Sequence, residues 1–226
     1  SGLEATYGYD NRYLLKLNMG YSGSEQYARN SRYTATPAVS AAWVVSNETF
    51  ARQADWLSNL KIRASYGQSA NDQNGIARFA YLDDVTVAGG GPIGYLQYII
   101  SENQVGNPDI RAEVSTKKNV GIDVGLFESF SLTLDLFDEQ MDNMVVRAFG
   151  TIPLYQGIPL DNYPQINTGK FENKGYEITA NYTKKITPDF TVYVGGMYSY
   201  AKNKVINWRE AFAPKQGCIT KRPKQG

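Results

Sequence analysis

Between Asn11 and Asn203 one unit recurs: about ten residues in which apolar and polar side chains alternate, flanked by Tyr, Trp or Phe. Tyr13, Leu15, Leu17, Met19 and Tyr21 make one set; Lys16, Asn18, Gly20 and Ser22 make the other. Side chains on a strand alternate faces with period two, so the first set is an apolar face with aromatic ends. Such a ribbon calls for an apolar medium on one side and water on the other, the pattern of a strand that crosses an outer membrane. From Tyr13 to Tyr21 the strand would run about 27 Å, or roughly 19 Å of depth at 45° tilt, within an apolar band about 25 Å tall.

Eight strands are predicted, over about 3–9, 12–23, 34–46, 60–69, 113–127, 130–147, 172–185 and 190–204. Their apolar sets carry no charge. Leu60, Ile62, Ala64 and Tyr66 oppose Lys61, Arg63, Ser65 and Gly67; Val120, Ile122, Val124 and Leu126 oppose Asn119, Gly121, Asp123 and Gly125. Phe130, Leu132, Leu134 and Leu136 oppose Ser131, Thr133 and Asp135; Tyr176, Ile178, Ala180 and Tyr182 oppose Gly175, Glu177, Thr179 and Asn181. Phe190, Val192 and Val194 continue the pattern against Thr191, Tyr193 and Gly195. No helix is predicted, and 47–59 is a short connection.

Linker lengths give orientation. Asp10-Asn11, Glu128-Ser129 and Ile186–Asp189 read as tight turns, which barrels place on the periplasmic side. The long segments 23–33, 68–112, 148–171 and 205–226 then lie outside, while Ser46–Asn59 is a longer periplasmic connection than the rule gives. Long loops are usually functional, disordered or both.

Composition excludes several functions. The 226 residues include no His, so a Ser-His-Asp arrangement and any His-ligated metal are ruled out. The single cysteine, Cys218, rules out an internal disulfide and a thiolate cluster, and reads as structural or incidental. A net charge of +1 gives no field for nucleic acid. The longest wholly apolar run, Ala41–Val45, is far short of the roughly twenty residues a spanning helix needs. The 17 Tyr suit side chains with one end in an apolar medium and the other in water. Ser1–Thr6 lacks a basic start and an apolar core, so an exported chain of this kind would have lost its leader or be an interior piece of a longer protein.

The candidate ligand contacts are the external tyrosines Tyr81, Tyr95, Tyr98, Tyr155 and Tyr163, whose flat rings can meet sugar faces or peptide side chains with few frozen rotors. The competing reading is that they pack the loops against each other or against a lid protein. Asp135, Asp138, Glu139 and Asp142, like Asp72, Asp83 and Asp84, fit no calcium loop and read as a solvated strand end and loop. Gly89-Gly90-Gly91-Pro92 lacks the Lys-Ser/Thr of a phosphate loop and reads as a flexible external loop. No catalytic, cofactor or metal residue is assigned.

Five blocks, in order, resemble the SusC/RagA family of TonB-dependent outer-membrane transporters of Bacteroidetes. They are Asn11-Arg12-Tyr13-Leu14-Leu15, Pro37–Trp43, Asp55–Gly67, Asn107–Glu113 with Ser115-Thr116-Lys117 and Asn119–Asp123, and Asn167–Ile178. The resemblance covers nearly the whole chain, with Pro214–Gly226 its weakest part. It implies an all-β, transmembrane antiparallel β-barrel segment, about eight strands of a larger barrel of the 22-strand, plugged type. Residues 1–226 would then be a partial barrel domain without its plug, its first strands and its last ones. Implied partners are the rest of the barrel and plug, a SusD-like surface lipoprotein, the TonB complex acting through the plug, and outer-membrane lipid. The implied function is import of an oligosaccharide or peptide, with no covalent chemistry. Alternation alone leaves two rivals open: a secreted β-sandwich that binds glycans, with Leu15, Leu17, Leu132 and Leu134 in a dry core, and a passive porin.

Overall fold

The computed structural model describes residues 1–72, 75–76, 78–89, 98–148 and 162–208. Ten strands are present: β1 (Gly2–Tyr9), β2 (Tyr13–Gly23), β3 (Tyr33–Val44), β4 (Leu57–Asn71), β5 (Asp84–Gly89), β6 (Tyr98–Gln104), β7 (Glu113–Leu126), β8 (Phe130–Arg147), β9 (Gln165–Thr187) and β10 (Phe190–Asn207). Eight form one antiparallel sheet in the order β1-β2-β3-β4-β7-β8-β9-β10, and β5 and β6 form a separate two-stranded sheet. β1 and β10 do not pair with each other, so the large sheet is open.

The predicted strands are the eight of the large sheet. Within the long loop expected over 68–112 lie the paired strands β5 and β6, too short for their alternation to stand out. The loop expected over 148–171 is shorter, because β9 begins at Gln165.

The register shows why the alternation matters. Directly paired residues share a face, and one row of partners crosses all eight strands: Tyr9, Tyr13, Trp43, Ile62, Ile122, Leu134, Ile178 and Tyr198. The next row, toward the long loops, is Tyr7, Leu15, Ala41, Ala64, Val120, Leu136, Tyr176 and Tyr200. Neither row holds a charge. No second sheet covers this face among the described residues, and Leu17 and Leu136 stay 48% and 50% exposed. The dry core that a β-sandwich requires is therefore missing among the described residues.

Aromatic side chains mark both edges of the apolar band. At the tight-turn edge the ring centroids of Tyr13 and Trp43 are 6.4 Å apart, and at the long-loop edge those of Tyr21 and Tyr33 are 5.4 Å apart. On β2 the band runs from Tyr13 to Tyr21, and on β9 from Tyr182 to Tyr176. Tyr13 is level with Ile178, four positions from Tyr182; Leu15 is level with Tyr176, six positions short of Tyr21 on β2. The band thus slides by about one residue per strand step over the five steps from β2 to β9. One residue is about 3.3 Å against a strand spacing of about 4.8 Å, which corresponds to a tilt of roughly 35°. This is the inclination of strands in a closed barrel.

Two hairpin turns hold non-glycine residues at positive φ. Asp10 and Asn11 (φ 50° and 51°) join β1 to β2, and Phe127 and Glu128 (φ 53° and 52°) join β7 to β8. Asn accepts this conformation readily, whereas a bulky side chain does so at a cost. The second turn is braced from the β3–β4 connection: the Phe127 amide donates to the Trp56 carbonyl (3.0 Å) and the Glu128 amide to Ser58 Oγ (2.6 Å). That connection, which includes a single 3₁₀ turn at Val45–Asn47, is longer than its counterparts because it reaches across to support its neighbour.

Candidate functional site

Two regions have the polar groups and shape to act on a solute: the polar face of the large sheet and the cap formed by the long loops. On the polar face one row reads Gly8, Leu14, Ala42, Arg63, Gly121, Asp135, Glu177 and Ser199. Arg63 on β4 donates from Nη2 to Asp135 Oδ2 on β8 (2.6 Å) and from Nε to Asp123 Oδ2 on β7 (3.2 Å). β7 lies between β4 and β8, and the guanidinium can cross it because position 121 is glycine. A Cβ there would lie 2.7 Å from both Arg63 Cζ and Asp135 Oδ1. Thr133 Oγ1 donates to the other oxygen of Asp123 (3.1 Å). Lys117 pairs with Glu139 (3.2 Å), and Lys16 with Glu4 (2.9 Å). A groove of about 390 Å³ is lined in part by Thr6, Lys16, Ser40, Arg63, Ser65 and Asn119. This wall alternates cations and anions that neutralise one another, which keeps a surface wet without a strong net field.

The acidic cluster read from the sequence divides between the two faces, because odd and even positions of β8 point opposite ways. Asp135 and Glu139 lie on the polar face; Asp138 and Asp142 lie on the other and pair with Lys174 (3.7 Å) and Lys170 (2.8 Å). Among the described residues no three His, Cys, Asp or Glu side chains are placed to hold a metal ion.

The cap has a core of its own. Tyr27 from the β2–β3 loop packs with Ile76, Ala80, Ile110 and Ala112 from the β4–β7 segment, and Ala70, Tyr81 and Val145 border the cluster. Ile110 is fully buried, at 0% exposure. Polar side chains fasten the cap to the strand ends. Buried Glu113 accepts from the Val145 amide (2.8 Å) and Asn71 Nδ2 (3.2 Å). Asn143, at φ 59° in a bulge of β8, accepts at its side chain from Arg111 Nη2 (3.0 Å) and at its carbonyl from Asn167 Nδ2 (2.6 Å). Asn167 also exchanges hydrogen bonds with the Arg111 backbone.

Three of the five candidate tyrosines lie among the described residues. Tyr81 borders the cap core with its ring 6.2 Å from that of Phe79, and Tyr163 is only 3% exposed. Tyr98 begins β6, where its backbone pairs with Gly89. Tyr95 and Tyr155 lie outside the described residues, as do Gly90, Gly91, Pro92 and Cys218.

At the opposite end, buried Glu48 accepts from the Tyr13 hydroxyl (2.8 Å), Trp43 Nε1 (3.2 Å) and Arg12 Nη1 (3.3 Å). The Tyr13 hydrogen bond, then that of Trp43, and the Arg12 charge hold its carboxyl below the ordinary value against the opposing effect of burial. Sequence reasoning assigned no role to Glu48, Glu113, Asn143 or Asn167 as fasteners. Apart from Trp43, five positions from Glu48, their partners lie 24 to 56 positions away along the chain, and local pattern carries no trace of them.

A family model described as TonB dependent receptor-like, beta-barrel, matches residues 2–217. The chain is 27% identical over 210 residues to TonB-dependent receptor P3 of Formosa agariphila, covering 88% of this chain and 19% of that protein. It is 26% identical over 185 residues to TonB-dependent receptor SusC of Bacteroides thetaiotaomicron, covering 80% of this chain and 18% of that one. Among solved structures, the RagAB peptide importer in its open-open state is similar in fold, with a TM-score of 0.77 at 22% identity over 91% of this chain and 21% of that one. This chain spans about a fifth of the length of the curated relatives it matches.

Proposed function

The chain belongs to the TonB-dependent receptor-like β-barrel family, and from that premise we propose that it forms part of the wall of an outer-membrane nutrient importer of a Gram-negative bacterium. The observation that carries this reading is the pair of uncharged rows crossing all eight strands, with aromatic edges that slide at barrel tilt. In this reading lipid covers the apolar face and water fills the polar one. β1 and β10 each pair with further strands, since an open edge in hydrocarbon leaves backbone groups without partners.

The cargo class is an oligosaccharide or a peptide, captured on the external side beneath a SusD-like lipoprotein and drawn inward when the TonB complex acts on a plug. The family resemblance read from the sequence leaves both cargo classes open, and the RagAB importer, similar in fold, is named for the second. The neutralised ion-pair wall favours a hydrated uncharged or zwitterionic solute over a strongly charged one. The chain's own residues would shape the path and the cap, and carry out no bond-breaking step. Tyr81 and Tyr98 are the candidates for cargo contact among the described residues, and Tyr95 and Tyr155 stay candidates from the sequence; the covered ring of Tyr163 serves the loop instead.

The test is removal of residues 85–102, which carry most of the paired strands β5 and β6, from the complete transporter. The barrel should still assemble and migrate as a heat-modifiable species, while growth on the cognate nutrient fails. Undiminished growth would contradict a capture role for this loop. An affinity-tagged complete barrel should also bring down a SusD-like surface lipoprotein from its native membrane.

A further inference from the structure

Immediately beyond the row that ends in Tyr176 and Tyr200, the outward face changes character on four strands. The next row of direct partners is Lys118 on β7, Asp138 on β8, Lys174 on β9 and Lys202 on β10, and the row after it holds Thr116, Gln140, Glu172 and Lys204. Lys174 sits between Glu172 (2.7 Å) and Asp138 (3.7 Å), so its charge is matched locally. Lys118, Lys202 and Lys204 are exposed, and the patch keeps an excess of two positive charges, four lysines against two acids. Below it lies a tyrosine platform, with the Tyr176 ring 5.6 Å from Tyr200 and 6.0 Å from Tyr198. On β1, β2 and β3 the same edge of the band ends in the stacked Tyr21 and Tyr33, with no lysine row above them.

We propose that Lys118, Lys202 and Lys204, above the Tyr176–Tyr198–Tyr200 platform, form a binding site for the phosphate groups of a lipid in the external leaflet. This rests on the lipid-facing reading of the apolar side given above. Depth selects the occupant. One same-face row is about 6.6 Å along the strand, or roughly 5 Å in height at the tilt found here, so these ammonium groups stand at the headgroup level. Charge complementarity and continuity with the lipid-covered face then favour a phosphorylated headgroup, whose acyl chains would lie down the Tyr176–Ile178 side. A lysine near a membrane surface strengthens binding to an anionic headgroup by about fivefold.

The complete barrel, purified in detergent, is incubated with a six-chain acylated glucosamine disaccharide carrying two phosphates, or with its dephosphorylated counterpart, and bound lipid is counted by native mass spectrometry. The wild type should retain the phosphorylated lipid at least tenfold better. K118Q/K202Q/K204Q should lose that preference, K184Q/K185Q at the opposite edge should keep it, and millimolar inorganic phosphate should not displace the lipid. If the triple variant fails to show the heat-dependent gel shift of a folded barrel, K202Q/K204Q is read in its place. Equal retention by wild type and lysine variant overturns the site, as does complete displacement by inorganic phosphate. A wild-type protein that gives no heat-modifiable barrel in detergent overturns the lipid-facing reading itself, and the site with it.

Discussion

The long strands and the cap of long loops solve opposite problems. Among the described residues, the buried apolar side chains lie in the connections or at strand ends: Tyr27, Ile76, Ala80, Ile110 and Ala112 in the cap, Val45 and Ala51 at the other end. In the middle of the sheet the apolar side chains are at most partly buried: Leu132, Leu134 and Ile178 are intermediate, and Leu17, Ile122 and Leu136 are exposed. A water-soluble protein places its largest apolar faces inside. Here the cap follows that rule and the sheet inverts it, which marks a change of solvent along one polypeptide. Loops that stand in water need a small core of their own, whereas strands that stand in lipid can leave leucine and isoleucine uncovered.

The largest effect should come from putting a charge on the wrong face. In the complete barrel, Leu134→Arg should cost about 4 kcal/mol or prevent assembly, because its row is at mid-band. Thr133→Arg, one position away, should assemble normally; denaturant unfolding in detergent measures both. Ile110→Ala should cost about 3 kcal/mol through the cavity it leaves. The loss should be confined to the cap, so protease nicking of the loops should rise while the barrel's heat modifiability is unchanged. Equal damage to barrel and cap would remove the distinction between the two regions.

On the polar face, Arg63→Ala leaves Asp123 and Asp135 without their shared cation, and about 1–2 kcal/mol should be lost, discounted for partial exposure. Gly121→Ala should reproduce part of that loss by displacing the guanidinium, and denaturant curves of the two single variants and the double variant should be less than additive. The smallest effect concerns Glu48. Its carboxyl is held below the ordinary value in the folded chain. Its contribution is therefore present above the unfolded carboxyl pKa and disappears as pH falls through the lower folded value. Glu48→Gln should weaken the tight-turn end near neutral pH and flatten its acid dependence, read as amide exchange of residues 45–56.

Much of the sheet was legible from residues alone, since period-two alternation with a charge-free side sets the faces. Tyr13, Tyr21, Tyr176 and Tyr182 marked the band edges before any pairing was known. The cap was less so. Its core is assembled from residues far apart in the chain, and Tyr163 looks, by composition, as available to a ligand as Tyr81 does. The Arg63–Asp135 bridge was hidden for a different reason: each residue was on the right face, but only the register places Gly121 between them.

The central claim is that odd and even positions of β8 face different solvents. It is tested most directly by single cysteines at 132, 133, 134, 135 and 136, in a Cys218→Ser background of the complete barrel in liposomes, probed with a membrane-impermeant maleimide. Positions 133 and 135 should label and 132, 134 and 136 should not. Uniform labelling, or labelling in the opposite phase, would contradict the account.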